Sequence, residues 1–138
     1  MYNDYKLILA SASSGRHSVL SNAGVKLDRI ITTDIDETPK KNELAKDLVL
    51  RLAKEKSYEA SKDLNKAFII AADTVVSCGR RILLKANSDE EVRTSLEMLS
   101  GRRHKIYTGI SVIRIDEDFN IKSSSRVVTT ILKFKRLE

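Results

Sequence analysis

Apolar residues come in short runs broken by polar clusters, and the spacing inside each run predicts its element. Residues 7–10, Leu-Ile-Leu-Ala, read as a buried-type strand that breaks into the small and hydroxylated stretch Ser11-Ala12-Ser13-Ser14-Gly15. Residues 16–23 then predict a helix, with Gly24 placed as its C-terminal stop. A second strand is expected over 27–33, followed by a polar turn, Asp34-Ile35-Asp36-Glu37-Thr38-Pro39, in which the pre-proline position disfavours helix. Leu44, Leu48 and Leu52 recur every fourth residue, flanked by Ala45, Val49 and Ala53, so a long helix is expected over 43–63 with Asn42 as its cap.

The apolar, β-rich run 67–76 predicts a third strand, interrupted by one acid, Asp73. Cys78-Gly79-Arg80 is a turn into a short returning strand, 81–85. Ser88 and Glu91 form a capping-box pattern ahead of a helix expected to bury Val92, Leu96 and Leu99 and to end at Gly101. A strand follows over 105–115, then an acidic turn and one or two more strands over 122–135. The order βαβαββαββ implies an α/β fold, a mixed central sheet flanked by helices, in a single domain over residues 1–138. The last strand has nothing after it to cover its edge, a pairing hazard, so the chain is expected to be cut short or completed by a partner.

Composition narrows the class. With 41% apolar and 32% charged residues the chain reads as soluble and globular, and no apolar run approaches the roughly 20 residues of a membrane span. Cys78 is the only cysteine, which fits a reducing compartment, and a cytoplasmic location without a membrane partner is expected. Of the net charge of +6, most lies in residues 101–138, where nine basic residues face four acidic ones. A basic segment is compatible with nucleic acid, but aromatics are 5% and tryptophan is absent, so a solvated basic edge is the preferred reading.

Four features carry candidate chemistry. The junction 11–16 sits where free backbone N–H groups and the helix dipole favour phosphate; Ser11 and Ser13 offer hydroxyls and Arg16 a bidentate grip. It lacks the Walker spacing, and a simple capped turn is the competing reading. Asp73, inside an apolar run, must be paired, satisfied by backbone N–H groups or bound to a cation. Asp34, Asp36 and Glu37, with Asp73, offer oxygen ligands to a hard divalent cation, against the reading of a solvated acidic turn. Lys56, four residues after Leu52, and Lys85, after the strand Ile82-Leu83-Leu84, are either phosphate contacts or surface lysines. The two histidines, His17 and His104, have no zinc-ligand spacing.

Taken in order, these stretches resemble the Maf family of nucleotide pyrophosphatases, also called septum formation inhibitor Maf. The carriers are Leu9-Ala10-Ser11-Ala12-Ser13-Ser14-Gly15-Arg16, Asp36-Glu37-Thr38-Pro39, Arg51-Leu52-Ala53-Lys54-Glu55-Lys56, Ala72-Asp73-Thr74-Val75-Val76, Ile82-Leu83-Leu84-Lys85, and Leu99-Ser100-Gly101 with His104, Thr108 and Gly109. The resemblance implies an elongated α/β fold with a central cleft, similar to the inosine triphosphatases, and a homodimer. It implies hydrolysis of a nucleoside triphosphate between the α and β phosphates, dependent on Mg²⁺ or Mn²⁺ and linked to nucleotide clearance and septum formation. It implies Asp73 as base or metal-linked acid, Glu37 and Asp73 as metal ligands, and Ser11, Ser13, Arg16, Lys56 and Lys85 as substrate contacts.

Three departures set limits on the likeness. Ser14-Gly15 stands where the family has Pro-Arg, removing one arginine; Leu84 and Ala86 replace the Gly and Pro that flank the lysine at 85. Family chains also continue past residues 133–135 by a quarter to a third of their length. The alternative expectation is therefore a nucleotide-binding or interaction protein with impaired catalysis. The segment around Glu37 leans toward 7-methyl-GTP and that around Asp73 toward pyrimidine nucleotides, so the resemblance leaves the base open.

Overall fold

The computed structural model describes residues 2–11, 18, 20–83, 88–99, 101 and 103–133, with backbone alone at 95, 98 and 99. Within them the chain forms β1 (Lys6–Ala10), β2 (Arg29–Ile31), α1 (Ala45–Ala60), β3 (Ala67–Cys78), β4 (Arg81–Leu83), α2 (Asp89–Leu99), β5 (Arg103–Ile115) and β6 (Ile121–Lys133). The sheet runs β2-β1-β3-β5-β6, with β4 also on β3. β1 is parallel to β2 and β3, and the other pairings are antiparallel. The mixed sheet and the order of these elements agree with expectation; the helix expected over 16–23 falls partly outside the described residues, among which 18 and 20–22 are helical.

β3 is apolar on successive residues, yet its burial alternates: Ala67, Ile69 and Ala71 are sealed, while their even-numbered neighbours are half-buried. The sealed face meets Ile8 and Ala10 of β1, Ile113 and Ile115 of β5, and α1, which buries Leu48, Val49, Leu52, Ala53 and Ala60. Contact between α1 and β5 is close enough to need glycine. A Cβ on Gly109 would fall on the carbonyl oxygen of Val49 and within 2.8 Å of the Leu50 nitrogen. Ser57 and Ser111, both fully buried, satisfy each other across the same contact at 2.9 Å.

Local signals explain two helix ends. Gly24 has φ +82°, and the bonds Gly24 N–H to Ser21 O and Val25 N–H to Leu20 O form the double closure expected of a glycine stop. The Ser88 hydroxyl accepts the Glu91 N–H, as the capping pattern predicts.

Four details differ from expectation. β2 is shorter, Arg29–Ile31, and just before it the Asp28 carboxylate, in place of backbone, accepts the Leu7 N–H. Asn42 does not cap α1: it sits at φ +62°, and Leu44 holds the cap position without a side-chain bond. α1 ends at Ala60 because Asp63 turns to φ +64° after the Ser61 hydroxyl bonds the Tyr58 carbonyl. Val92 and Leu96 are 45% and 46% exposed, since an amphipathic stripe sets which face prefers burial and not whether a partner is there. Leu99's side chain lies outside the described set.

α1 begins instead under an ion-pair fork. Arg51 Nε and Nη2 donate to Glu43 Oε2 and Oε1 at 2.8 and 2.9 Å, and the Lys40 N–H also bonds Glu43 Oε1. The Arg51 hydrogen bonds, ahead of the opposing effect of burial, hold the Glu43 carboxyl down at about 2 against an ordinary 4.5.

Two outcomes follow from this packing. Gly109→Ala should lower stability by about 3 kcal/mol, because backbone and not a movable side chain blocks the new methyl; an unchanged thermal midpoint would contradict the contact. Glu43, with its folded value depressed, contributes stability that is complete above about 4.5 and is lost as pH falls toward about 2. Urea midpoints measured across that window should fall with a shallower slope in Glu43→Gln.

Candidate functional site

The parallel pairing of β1 with β3 runs to Leu9 and Ile70, and Asp73 follows three residues further along β3. Beyond this pairing β3 leaves β1 and continues with β5, pairing Asp73 with Gly109. Asp73 therefore sits on the sheet face that α1 covers, where Gly109 lets the helix approach closely.

That approach delivers Lys56. Its Nζ lies 2.9 Å from Asp73 Oδ1 and 2.8 Å from Glu37 Oε1. The lysine and Asp73 side chains are 12% and 14% exposed, whereas Glu37, carried by the connection between β2 and α1, is 58% exposed. Asp73 thus meets the requirement that a shielded acid be paired. Two carboxylates against one ammonium leave one formal negative charge in excess. On the opposite face of the sheet Thr74 and Thr108 share a hydroxyl bond across β3 and β5 at 3.0 Å.

The structure brings Asp73, Glu37 and Lys56 together, and Ser11 is buried just past the end of β1. Ser13, Arg16 and Lys85 lie outside the described residues. Among the described residues no group of three or more His, Cys, Asp or Glu side chains gathers for a metal. The pair Glu37 and Asp73 nevertheless fits the hard-cation donor set, because Mg²⁺ is commonly held by one or two carboxylates with the rest of its shell from water and substrate phosphate. Both carboxylates here already converge on one cationic group, the Lys56 ammonium.

Sequence reasoning missed Arg51. Besides Glu43 it reaches Glu55 at 3.1 Å, and its Nη2 donates to the Thr38 carbonyl at 3.2 Å, one residue from Glu37. The i, i+4 spacing of Arg51 and Glu55 was a readable signal; the contacts to Thr38 and Glu43 were not.

Comparison with known proteins agrees with this architecture. The chain is 45% identical over 132 residues to the nucleoside triphosphate pyrophosphatase of Rickettsia akari (strain Hartford), covering 95% of this chain and 65% of that protein. It is 44% identical over 131 residues to the dTTP/UTP pyrophosphatase of Wolbachia sp. subsp. Drosophila simulans (strain wRi), with the same coverage of 95% and 65%. The chain spans 61–65% of the length of these and of a further curated relative, from Rickettsia rickettsii (strain Sheila Smith). The fold is similar to that of a HAM1 protein from Coxiella burnetii, with a TM-score of 0.56 at 17% identity, covering 92% of this chain and 70% of that one. Residues 6–138 match the family model described as Maf-like protein, and the chain belongs to that family.

Proposed function

We propose that the chain carries the catalytic face of a nucleoside triphosphate pyrophosphatase. The observation that supports this reading most is the convergence of Asp73 and Glu37 on Lys56 at 2.9 and 2.8 Å, just beyond the parallel pairing of β1 with β3, in a chain whose relatives bear that name. Open α/β sheets commonly bind ligands beyond the carboxyl ends of their strands.

In the proposed reaction water attacks the α-phosphorus, the bond from that phosphorus to the α–β bridging oxygen breaks, and nucleoside monophosphate and pyrophosphate leave. Asp73 takes the proton of the attacking water. Lys56 supplies positive charge beside the reacting phosphate, and Ser11, Ser13, Arg16 and Lys85 hold the phosphates in line. Glu37 and Asp73 would hold a divalent cation, Mg²⁺ or Mn²⁺, whose chemistry is charge neutralisation and a more acidic water. A homodimer, a cytoplasmic location and a link to nucleotide clearance and septum formation belong to the same proposal.

The test is pyrophosphate release from a panel of purine, pyrimidine and modified nucleoside triphosphates with Mg²⁺ or Mn²⁺, run on this chain and on any longer gene product carrying it. Asp73→Asn should lower kcat by about 100-fold or more. A variant as fast as wild type would remove Asp73 from its role. Saturable nucleotide binding without turnover would favour the binding-protein alternative, which Ser14-Gly15 in place of Pro-Arg motivates.

A further inference from the structure

The segment between β2 and α1 has no regular structure, yet Glu37 within it must meet a lysine on α1. Its internal bonds are local: Asp36 Oδ1 accepts the Thr38 N–H at 2.9 Å, and Glu43 Oε1 accepts the Lys40 N–H at 3.0 Å. Neither ties the segment to the helix. Arg51 does so twice, through its fork to Glu43 and through its bond to the Thr38 carbonyl. One guanidinium therefore holds both ends of the stretch 38–43, and one of those ends is the neighbour of Glu37.

The guanidinium is suited to this and an ammonium is not. Its planar donors reach three acceptor groups in fixed directions, Glu43, Glu55 and Thr38, from a side chain only 18% exposed. Glu43 is more enclosed still, at 10%. Glu37, at 58% exposure, has little packing of its own to fix it, and a water-exposed ion pair alone holds a side chain weakly.

We propose that Arg51 is the positioning residue for Glu37: by clamping Thr38 and Glu43 to α1 it sets the Glu37 carboxylate on Lys56. Its importance for turnover rests on the pyrophosphatase reading above; the positioning itself does not.

Two measurements separate these. The first follows the Lys56 side-chain ¹⁵N resonance in the intact chain. Glu37→Gln should move it in the wild type, Arg51→Gln should move it to the same place, and the double variant should add nothing. An Arg51→Gln signal that stays at the wild-type position, or shifts that simply add, would overturn the proposal. If Arg51→Gln does not fold, Arg51→Lys keeps a charge for Glu43 without the fork and should move the signal in the direction of Glu37→Gln; no movement overturns the proposal.

The second measurement is the Mn²⁺ concentration that half-saturates pyrophosphate release. Glu37→Gln and Arg51→Gln should each raise it about 10-fold, and the double variant should match the worse single one; factors that multiply would make Arg51 a fold support only. A wild type that turns over no nucleotide counts against the pyrophosphatase reading, while the resonance of Lys56 still decides whether Arg51 places Glu37.

Discussion

The close docking of α1 on the paired strands β3 and β5 is the constraint on which the other features depend. A helix at ordinary distance from a sheet leaves room for side chains between the two backbones. Here Gly109 removes the side chain that would strike the helix backbone at Val49 and Leu50, and Ser57 and Ser111 pair across the same contact. Leu48, Val49 and Leu52 supply the buried apolar surface of α1, while the glycine sets its distance. The consequence is that Lys56, on the flank of the helix, reaches Asp73 in the middle of a strand. Asp73 can be shielded because its counter-charge arrives with the same element that excludes water.

Electrostatics extends the arrangement outward in two layers. The inner one is the ammonium of Lys56 held between two carboxylates from different elements. The outer one is Arg51, whose guanidinium gathers Glu43, Glu55 and a backbone carbonyl. Both cations project from α1, so the helix acts as the frame on which an otherwise irregular segment is fixed. The excess of carboxylate over ammonium at the inner layer leaves the site ready for further positive charge, whereas most of the chain's surplus basic residues lie in residues 101–138.

Much of the fold was legible because its signals are local. The four-residue spacing of Leu44, Leu48 and Leu52 predicts α1, although Leu44 itself ends at the cap and 53% exposed. Gly24 and Ser88 terminate and start helices through bonds to residues within a few positions. Signals that depend on a distant partner misled. Asn42 is a good cap residue by type, but the Arg51–Glu43 fork sets where α1 begins. Val92 and Leu96 form an apolar stripe without being buried. The acid inside β3 was readable as a residue in need of a partner; which partner was not, because lysines 54, 56 and 62 are similar in sequence and only helix phase and crossing direction choose among them.

By itself the sequence determined the mixed α/β class, the order of the strands and of the two long helices, the glycine stop at Gly24, the cap at Ser88, and the candidacy of Asp73, Glu37 and Lys56. These follow from side-chain periodicity and from the cost of shielding an unpaired charge, both written into the chain one stretch at a time. Only the tertiary structure decided which face of β3 is sealed, since the even-numbered face, with Phe68, Ile70 and Val76, is the more apolar in sequence and yet is only half-buried. It alone decided that one lysine joins both acids and that Arg51 holds the segment presenting Glu37. Contacts between residues 13 to 19 positions apart depend on how closely a helix lies on a sheet, and that distance was set here by the missing side chain of a glycine on another strand.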